Sequence, residues 1–418
     1  MLQDNVKNSI TNTLLVIGCH WPEPNATAAG VRMLQLLKFF LKQHYQITFV
    51  ATMPQNEHVQ LLHEMGIRTT LIELNSSSFD TFIAKLEPQI VLFDRFVTEE
   101  QFGWRVAAHC PDALRILDTE DLHSLRHVRE QAFKKGLPFE VNAWLQNDKT
   151  KREMASIYRC DISLIISSYE MKLLQEVIKI DENLLLHLPF MLAEKDIPSS
   201  LPSFSERADF VFIGGGKHAP NVDAMIHLKQ NIWPKIKAAL PNTRLHIYGA
   251  YLPQQVMEFH DEKTGFLVHG RAKTIKAVMV ANRICLTPLR FGAGIKGKLL
   301  HAMQYGMPSV TTSIGAEGMY NNMKWNGFIA DDTTDFIKAA IKLYTNIDIW
   351  TKAQTQGITL LQNCFSIANL EKQLQTKIQQ VQKDIVEHRA QNFIGNLLQH
   401  QTMTSTKYLS KWIEEKNK

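Results

Sequence analysis

Short, unbroken apolar runs alternate with longer amphipathic stretches through most of this chain, and that rhythm restricts its fold more than any other feature. In the first half the runs are 13–18, 46–52, 69–74, 90–94, 113–118, 161–167 and 184–188. The clearest helix-like stretches between them are Val31–Gln43 and Thr98–His109. Strands that are apolar throughout are buried on both faces, and strands joined through helices lie parallel. The rhythm breaks over residues 189–202, where Pro189, Pro198 and Pro202 stand among serines, the pattern of a linker. A second alternation follows, with runs at 209–214, 243–249, 265–270, 283–289, 309–312 and 327–330. From Asp335 onward the pattern is helical, and the chain ends in a polar, Lys/Gln-rich stretch. At 418 residues the chain exceeds one ordinary core and fits two domains of about 200 residues each. The expected class is therefore α/β, with two doubly wound, Rossmann-like domains facing a cleft and ligands at the carboxyl ends of the strands. The expected boundaries are 1–195 for the N-terminal domain, 196–207 for the linker, 208–375 for the C-terminal domain and 376–418 for a helical tail. A long C-terminal helix is free to pack back across the cleft.

Composition narrows the functional classes. Hydrophobic residues are 45% and charged residues 21%, which excludes long-range disorder. The balance of 46 basic against 41 acidic side chains suits anionic small molecules or lipid head groups and falls far short of a nucleic-acid signature. Five cysteines, Cys19, Cys110, Cys160, Cys285 and Cys364, form no close pair, which argues against a disulfide framework or a zinc site. The N-terminal stretch 1–11 is polar, and the first apolar run is too short for a signal peptide. No run approaches the ~18 residues of a membrane span. A cytoplasmic location is expected, with peripheral contact at the inner membrane face left open. No HExxH, GxSxG, Walker A or GxGxxG pattern is present.

The densest chemistry lies at residues 290–318, RFGAGIKGKLLHAMQYGMPSVTTSIGAEG. A strand opens into a glycine loop and then a helix start, which offers unpaired backbone N–H groups and the positive end of a helix dipole to a diphosphate. Gly292 and Gly294 permit close backbone approach, while Arg290, Lys296 and Lys298 add positive charge. A second strand–glycine–helix segment spans residues 210–224, FVFIGGGKHAPNVDA, with Asn221 read as a helix N-cap and Gly215 and His218 as site candidates. A third, WPEPNATAAGVR at residues 21–32, follows the first strand. Its Gly30 would let the backbone approach a ligand, and Arg32 is expected to point into the cleft.

These blocks resemble the donor site of GT-B fold, family-4 glycosyltransferases (glycosyl transferases group 1), in particular the group carrying GAGIKGK. The resemblance is detailed over about residues 209–319 and looser over 13–130. It implies a sugar transferase that is retaining and metal-independent, uses a nucleotide-sugar, and needs no further cofactor. The acceptor it implies is a glycan or a lipid-linked sugar, as in polysaccharide biosynthesis. It assigns phosphate and sugar binding to Gly292, Gly294, Ile295 and Lys298, with Lys296 second. The family's paired glutamates would fall at Ala293 and His301, and neither is acidic here. Imidazole offers a ribose hydroxyl one acceptor nitrogen where a carboxylate offers two oxygens. His301 thus raises a second reading, a weakened or non-catalytic GT-B scaffold, and a sugar-nucleotide epimerase is a third. Glu317 is the nearest acid that could compensate.

Catalytic candidates come from the run LDTEDLH at residues 117–123, where the family places a His-Asp pair; Glu120 and Asp121 take those positions and His123 follows. A carboxylate there serves as base or as partner to a cationic sugar. Asp94, Arg95, Glu99 and Glu100 form a neighbouring set at the end of an earlier strand. Arg126, Arg129, Lys134, Lys135, Lys149, Lys151 and Arg152 read as a solvated basic face, with a lipid-surface patch as the alternative.

Overall fold

A computed structural model describes residues 12–417. The polar stretch 1–11 and the final Lys418 lie outside the described residues. Every apolar run forms a strand: β1 (Thr13–Gly18), β2 (Gln46–Ala51), β3 (Arg68–Leu71), β4 (Ile90–Asp94), β5 (Leu114–Asp118), β6 (Ile162–Ile165) and β7 (Leu185–His187), then β8 (Ala208–Ile213), β9 (Leu245–Tyr248), β10 (Phe266–Gly270), β11 (Asn282–Thr287), β12 (Ser309–Thr311) and β13 (Gly327–Ile329). They make two sheets of parallel strands, ordered β3-β2-β1-β4-β5-β6-β7 and β10-β9-β8-β11-β12-β13. In each sheet the order reverses beside its first strand, so the loops after β1 and β4, and after β8 and β11, open a crevice. The two domains together thus have the GT-B arrangement of two Rossmann-like units.

β1 shows why the runs are apolar throughout. Leu14 and Val16 turn into one core with Leu36 and Phe40 of α1 (Ala28–Lys42), while Leu15 and Ile17 turn into the opposite core with Phe93 and Phe102. Alternate residues face opposite sides of a strand, and here helices cover both sides.

The chain crosses between the domains twice, and the crossings lie side by side. Leu192 pairs with Ser366 as an isolated bridge, with the Leu192 amide donating to Phe365 and the Ile367 amide to Leu192. Gln35 of α1 holds the outgoing strand by accepting from the Met191 amide at 3.0 Å and donating to its carbonyl at 2.6 Å. Past this point the helix Ile367–Lys383 packs Leu370, Leu374, Ile378 and Val381 into the core of the N-terminal domain. The return therefore falls near residue 366 rather than at 376, because the apolar stripe that fits the N-terminal core starts at Leu370. Arg389 ties the following turn to Asp161 with two 2.8 Å bonds, and Ser410 of the last helix, Phe393–Lys416, accepts from Arg105 at 3.0 Å. No helix among the described residues is long and apolar enough to cross a membrane.

Leu374 is fully buried, and Leu→Ala at such a site costs about 2–5 kcal/mol. Leu374→Ala is expected to lower unfolding free energy in urea by that amount, with the loss seen in the N-terminal domain's transition although the residue lies 179 residues beyond that domain's expected end. An unchanged N-terminal transition would show that this helix is not part of its core.

Candidate functional site

In the C-terminal domain β11 runs into the loop 288–296, where Gly292 has φ 148° and Gly294 φ 66°. Such positive φ angles are costly for residues with a Cβ. The helix α2 (Gly297–Gln304) then starts with no side chain capping it, which leaves its first amides for a ligand. Lys298, one residue into the helix, donates to Asn221 Oδ1 at 2.5 Å and lies 4.3 Å from the centre of the Phe212 ring. Burial pushes this ammonium down to about 7. Asn221 Nδ2 in turn donates to the Gly215 carbonyl at 3.1 Å. Asn221 is not the N-cap: the helix Ala219–His227 begins after His218, with Pro220 in its first turn, so Asn221 is freed to hold Lys298. Gly214 is required here, since a Cβ would sit 2.6 Å from Asn221 Cγ. His301 lies one turn further along α2, and burial lowers its pKa, which keeps the imidazole neutral.

The N-terminal domain supplies the opposite wall. β4 and β5 end in Asp94-Arg95 and Asp118-Thr119-Glu120-Asp121. Arg95 (φ 72°) and Glu120 (φ 63°) are both left-handed, a strained backbone at neighbouring strand ends. Burial, reinforced by Asp118, pushes Glu120 up to about 8. Asp121 is also buried, but Arg126, His123 and His218 outweigh that and hold it below the usual carboxylate range. Arg126 bonds Asp121 Oδ2 directly, and His123 Nε2 is 3.3 Å from Oδ1. Burial pushes His123 down to about 4, so at neutral pH the pair is a carboxylate with a neutral imidazole.

Three expected contacts take other forms. Arg32 does not reach the cleft; it lies under the sheet end, paired with Asp118 at 2.8 Å and bonded to the Leu188 carbonyl at 2.6 Å. The buried Asp118 needs a cation, and the first turn of α1 brings one there. Gly30 serves the same floor: a Cβ would fall 2.5 Å from Glu23 backbone, so glycine lets the 19–27 loop fold onto α1. Arg290 turns away from the loop to Asp223, at 2.6 and 2.9 Å, and covers Phe133.

The walls meet on the glycine loop. Arg129, from the helix His123–Lys134, bonds both oxygens of Glu317 at 2.8 Å and the Gly292 carbonyl at 2.8 Å. Glu170 Oε1 accepts from the Gly294 amide at 2.8 Å and from Leu122 at 3.2 Å. Phe133 stacks on Phe291 with centroids 5.1 Å apart. Lys296 is buried among Glu317, Glu170 and Asp121 and donates to the Gly294 carbonyl at 2.7 Å. Ile295 is buried in one apolar cluster with Ile166 of the other domain. Sequence reasoning placed Arg129 on a solvated basic face and overlooked Glu170; no local pattern distinguishes either, because only the folded domains bring them to residues 120–190 positions away. The rest of that basic stretch is largely paired on the surface, Lys134 with Glu130, Lys151 with Asp148 and Arg152 with Glu100. Among the described residues no group of three or more His, Cys, Asp and Glu side chains is placed to hold a metal ion.

Comparison with known proteins agrees with this architecture. Residues 207–346 match the family described as Glycosyl transferases group 1. An uncharacterized 44.6 kDa protein in the cps region of Klebsiella pneumoniae is 27% identical over 144 residues, a stretch covering 33% of this chain and 37% of that protein. Among solved structures, sucrose-phosphate synthase from Thermosynechococcus elongatus superposes with a TM-score of 0.66 at 14% identity, covering 88% of this chain and 99% of that one. The pneumococcal O-GlcNAc transferase GtfA, solved with UDP and GlcNAc, gives 0.65 at 10% identity, covering 90% and 100%. Anabaena Alr3699/HepE, solved with UDP and glucose, gives 0.63 at 10%, covering 88% and 99%.

The closed loop admits a direct test. At Gly294 an added Cβ would lie 2.7 Å from Asp121 Cβ in the facing domain, at a φ that already disfavours it. Gly294→Ala is expected to wedge the domains apart, raising the radius of gyration in solution scattering and costing about 1–3 kcal/mol. A scattering curve identical to the parent's would show that the loop tolerates the side chain while closed.

Proposed function

We propose that this protein transfers a sugar from a nucleoside-diphosphate sugar to a hydroxyl of a glycan or lipid-linked acceptor, a reading supported by the match of residues 207–346 to glycosyl transferases group 1 and by the GT-B fold. The observation that carries the reading is the pairing of an uncapped helix start and the half-buried Lys298–Asn221 pair with an ionised Asp121 on the facing wall. In the reaction the bond between the anomeric carbon and the β-phosphate oxygen breaks, the acceptor oxygen bonds that carbon, and the acceptor proton passes to the departing phosphate. Negative charge grows on the diphosphate and positive charge on the sugar ring. The α2 amides, Lys298 and Lys296 offset the first. Asp121 offsets the second, whereas Glu120, with its pKa raised to about 8, is protonated at neutral pH. Delivery of the acceptor proton to the leaving phosphate places both groups on one face of the sugar, which is retention. In this reading side-chain cations replace a divalent ion, and neutral His301 takes one ribose hydroxyl. UDP in GtfA and HepE makes uridine diphosphate sugars the first donors to try, and a relative named for a cps region favours a polysaccharide acceptor.

The reading is tested by titrating UDP-, GDP- and ADP-sugars in a thermal-shift assay and following transfer without added metal. At least one donor is expected to raise the melting temperature, and Lys298→Ala is expected to cut turnover at least tenfold in a folded protein. No stabilisation by any nucleotide would favour the scaffold reading suggested by His301; full activity in Lys298→Ala would remove that lysine from the mechanism.

Donor affinity should also depend on pH. Lys298 titrates near 7 in the free protein, and a bound diphosphate, by favouring the ammonium, raises that value. Binding therefore takes up a proton above pH 7, and affinity for a nucleotide-sugar is expected to fall by up to about tenfold per unit as pH rises from 7 to 9. Calorimetry in buffers of different ionisation enthalpy measures the uptake. Lys298→Met should show neither the slope nor the buffer dependence, and a flat parent profile would refute the assignment.

A further inference from the structure

The N-terminal domain holds the glycine loop by its peptides as well as by its side chains. The Arg129 guanidinium fixes the carbonyl of Gly292, and the Glu170 carboxylate fixes the amide of Gly294. Between them these two bonds set the orientation of the peptides on either side of Ala293. Both glycines have backbone angles with no side-chain packing of their own to enforce them, and glycine has more freedom to lose than any other residue. The loop therefore needs an external template. Arg129 is built for that role: it is 5% exposed, lies 5.1 Å from the ring centres of both Phe139 and Tyr169, and makes a two-point fork with Glu317. Glu317 stands 25 residues downstream of Gly292, so one guanidinium ties together the two ends of the segment that contains α2. The carbonyl of Gly318, next to Glu317, accepts from Ser168 of the N-terminal domain at 3.4 Å.

We infer that Arg129 is a positioning residue for the donor site: reaching across the cleft, it locks Gly292 and Glu317 so that the phosphate-binding loop takes its working shape only when the domains are closed. The inference rests on the reading of this loop as the donor site. It makes closure and loop ordering a single event, so that the leaving phosphate meets fixed amides only in the closed enzyme, where water is excluded. Lysine cannot replace the arginine fully, since a single ammonium cannot make the two-point fork and reach the Gly292 carbonyl as well.

The test uses the full chain with Arg129→Ala, Arg129→Lys, Glu317→Gln and the Arg129→Ala/Glu317→Gln double variant. Two readouts are followed: amide hydrogen exchange over residues 292–298 without ligand, and kcat and donor KM for a turned-over nucleotide-sugar. Arg129→Ala is expected to speed exchange of the loop at least tenfold and to lower kcat at least tenfold, with exchange in the β1 and β8 cores unchanged. Arg129→Lys, which keeps the charge and guards against a folding failure of the alanine variant, is expected to recover part of both losses. Adding Glu317→Gln to Arg129→Ala should cost less than it does alone, the sign of a shared interaction. Loop exchange and kcat within twofold of the parent in both Arg129 variants would overturn the inference. If the parent neither binds nor turns over any nucleotide-sugar, the donor-site reading fails instead, while the exchange measurement still decides whether Arg129 orders the loop.

Discussion

Closing the cleft takes Asp121, Glu170 and Glu317 out of water together with Arg126, Arg129 and Lys296, and the rest of the site depends on how those charges are matched. Removing an ion from water costs several kcal/mol even after relaxation, and a buried pair recovers this only when its geometry is good. Arg129 and Glu317 meet that condition with two parallel 2.8 Å bonds. Lys296 and Glu170 meet it by binding loop peptides, so their polar atoms also satisfy the backbone of a segment that has no regular structure. The glycine loop is thus shaped by charge pairing across the cleft. Its conformation belongs to the interface as much as to the domain that carries it in sequence.

This explains what the amino-acid sequence revealed and what it withheld. A parallel strand covered on both faces must be apolar along its whole length, so the inner strands were visible as runs of residues such as Leu14–Ile17 or Phe210–Phe212, whereas the edge strand β3, Arg68–Leu71, is partly exposed and less apolar. The loop at 290–298 and the helix start at Gly297 were visible for a similar reason, since a tight turn before a helix demands glycine locally. Arg129, Glu170 and Arg32 were not. Their partners lie 188, 124 and 86 residues away, and nothing in the neighbouring sequence separates a buried, paired arginine from a solvated one. Asn221 was misassigned for a related reason: Asn is a good N-cap in isolation, but Pro220 in the first turn had already started the helix, and the side chain went to Lys298. The return of the chain at residue 366 was obscured because an amphipathic helix shows which face is apolar without showing which domain that face will meet.

The double crossing at Leu192 and Ser366 gives the cleft its hinge. Two chain segments run side by side there, held by two backbone hydrogen bonds and by Gln35, so both crossings share one narrow strip. The helices beyond it extend the core of the N-terminal domain. Leu374 and its neighbours press on α1, and α1 carries Gly30 and Arg32 at its start, directly under the loops that face the glycine loop. The crossing, the floor of the cleft and the last helices therefore form one continuous packed body.

Within that body two adjacent carboxylates are driven to opposite states. Glu120 and Asp121 follow the same strand, the first partly buried and the second buried, yet Glu120 has Asp118 as its strongest neighbouring charge while Asp121 has Arg126, His123 and His218. Repulsion adds to burial for the first and raises it to about 8; attraction defeats burial for the second. At neutral pH one residue is a neutral acid able to donate a hydrogen bond, and its neighbour is an anion facing the loop. Divergent environments of this kind separate the roles of paired carboxyl groups. The left-handed backbone at Glu120 makes the separation possible, because it turns consecutive side chains into different surroundings. The strain at the end of β5 is thereby tied to the placing of the Asp121 charge opposite the uncapped helix.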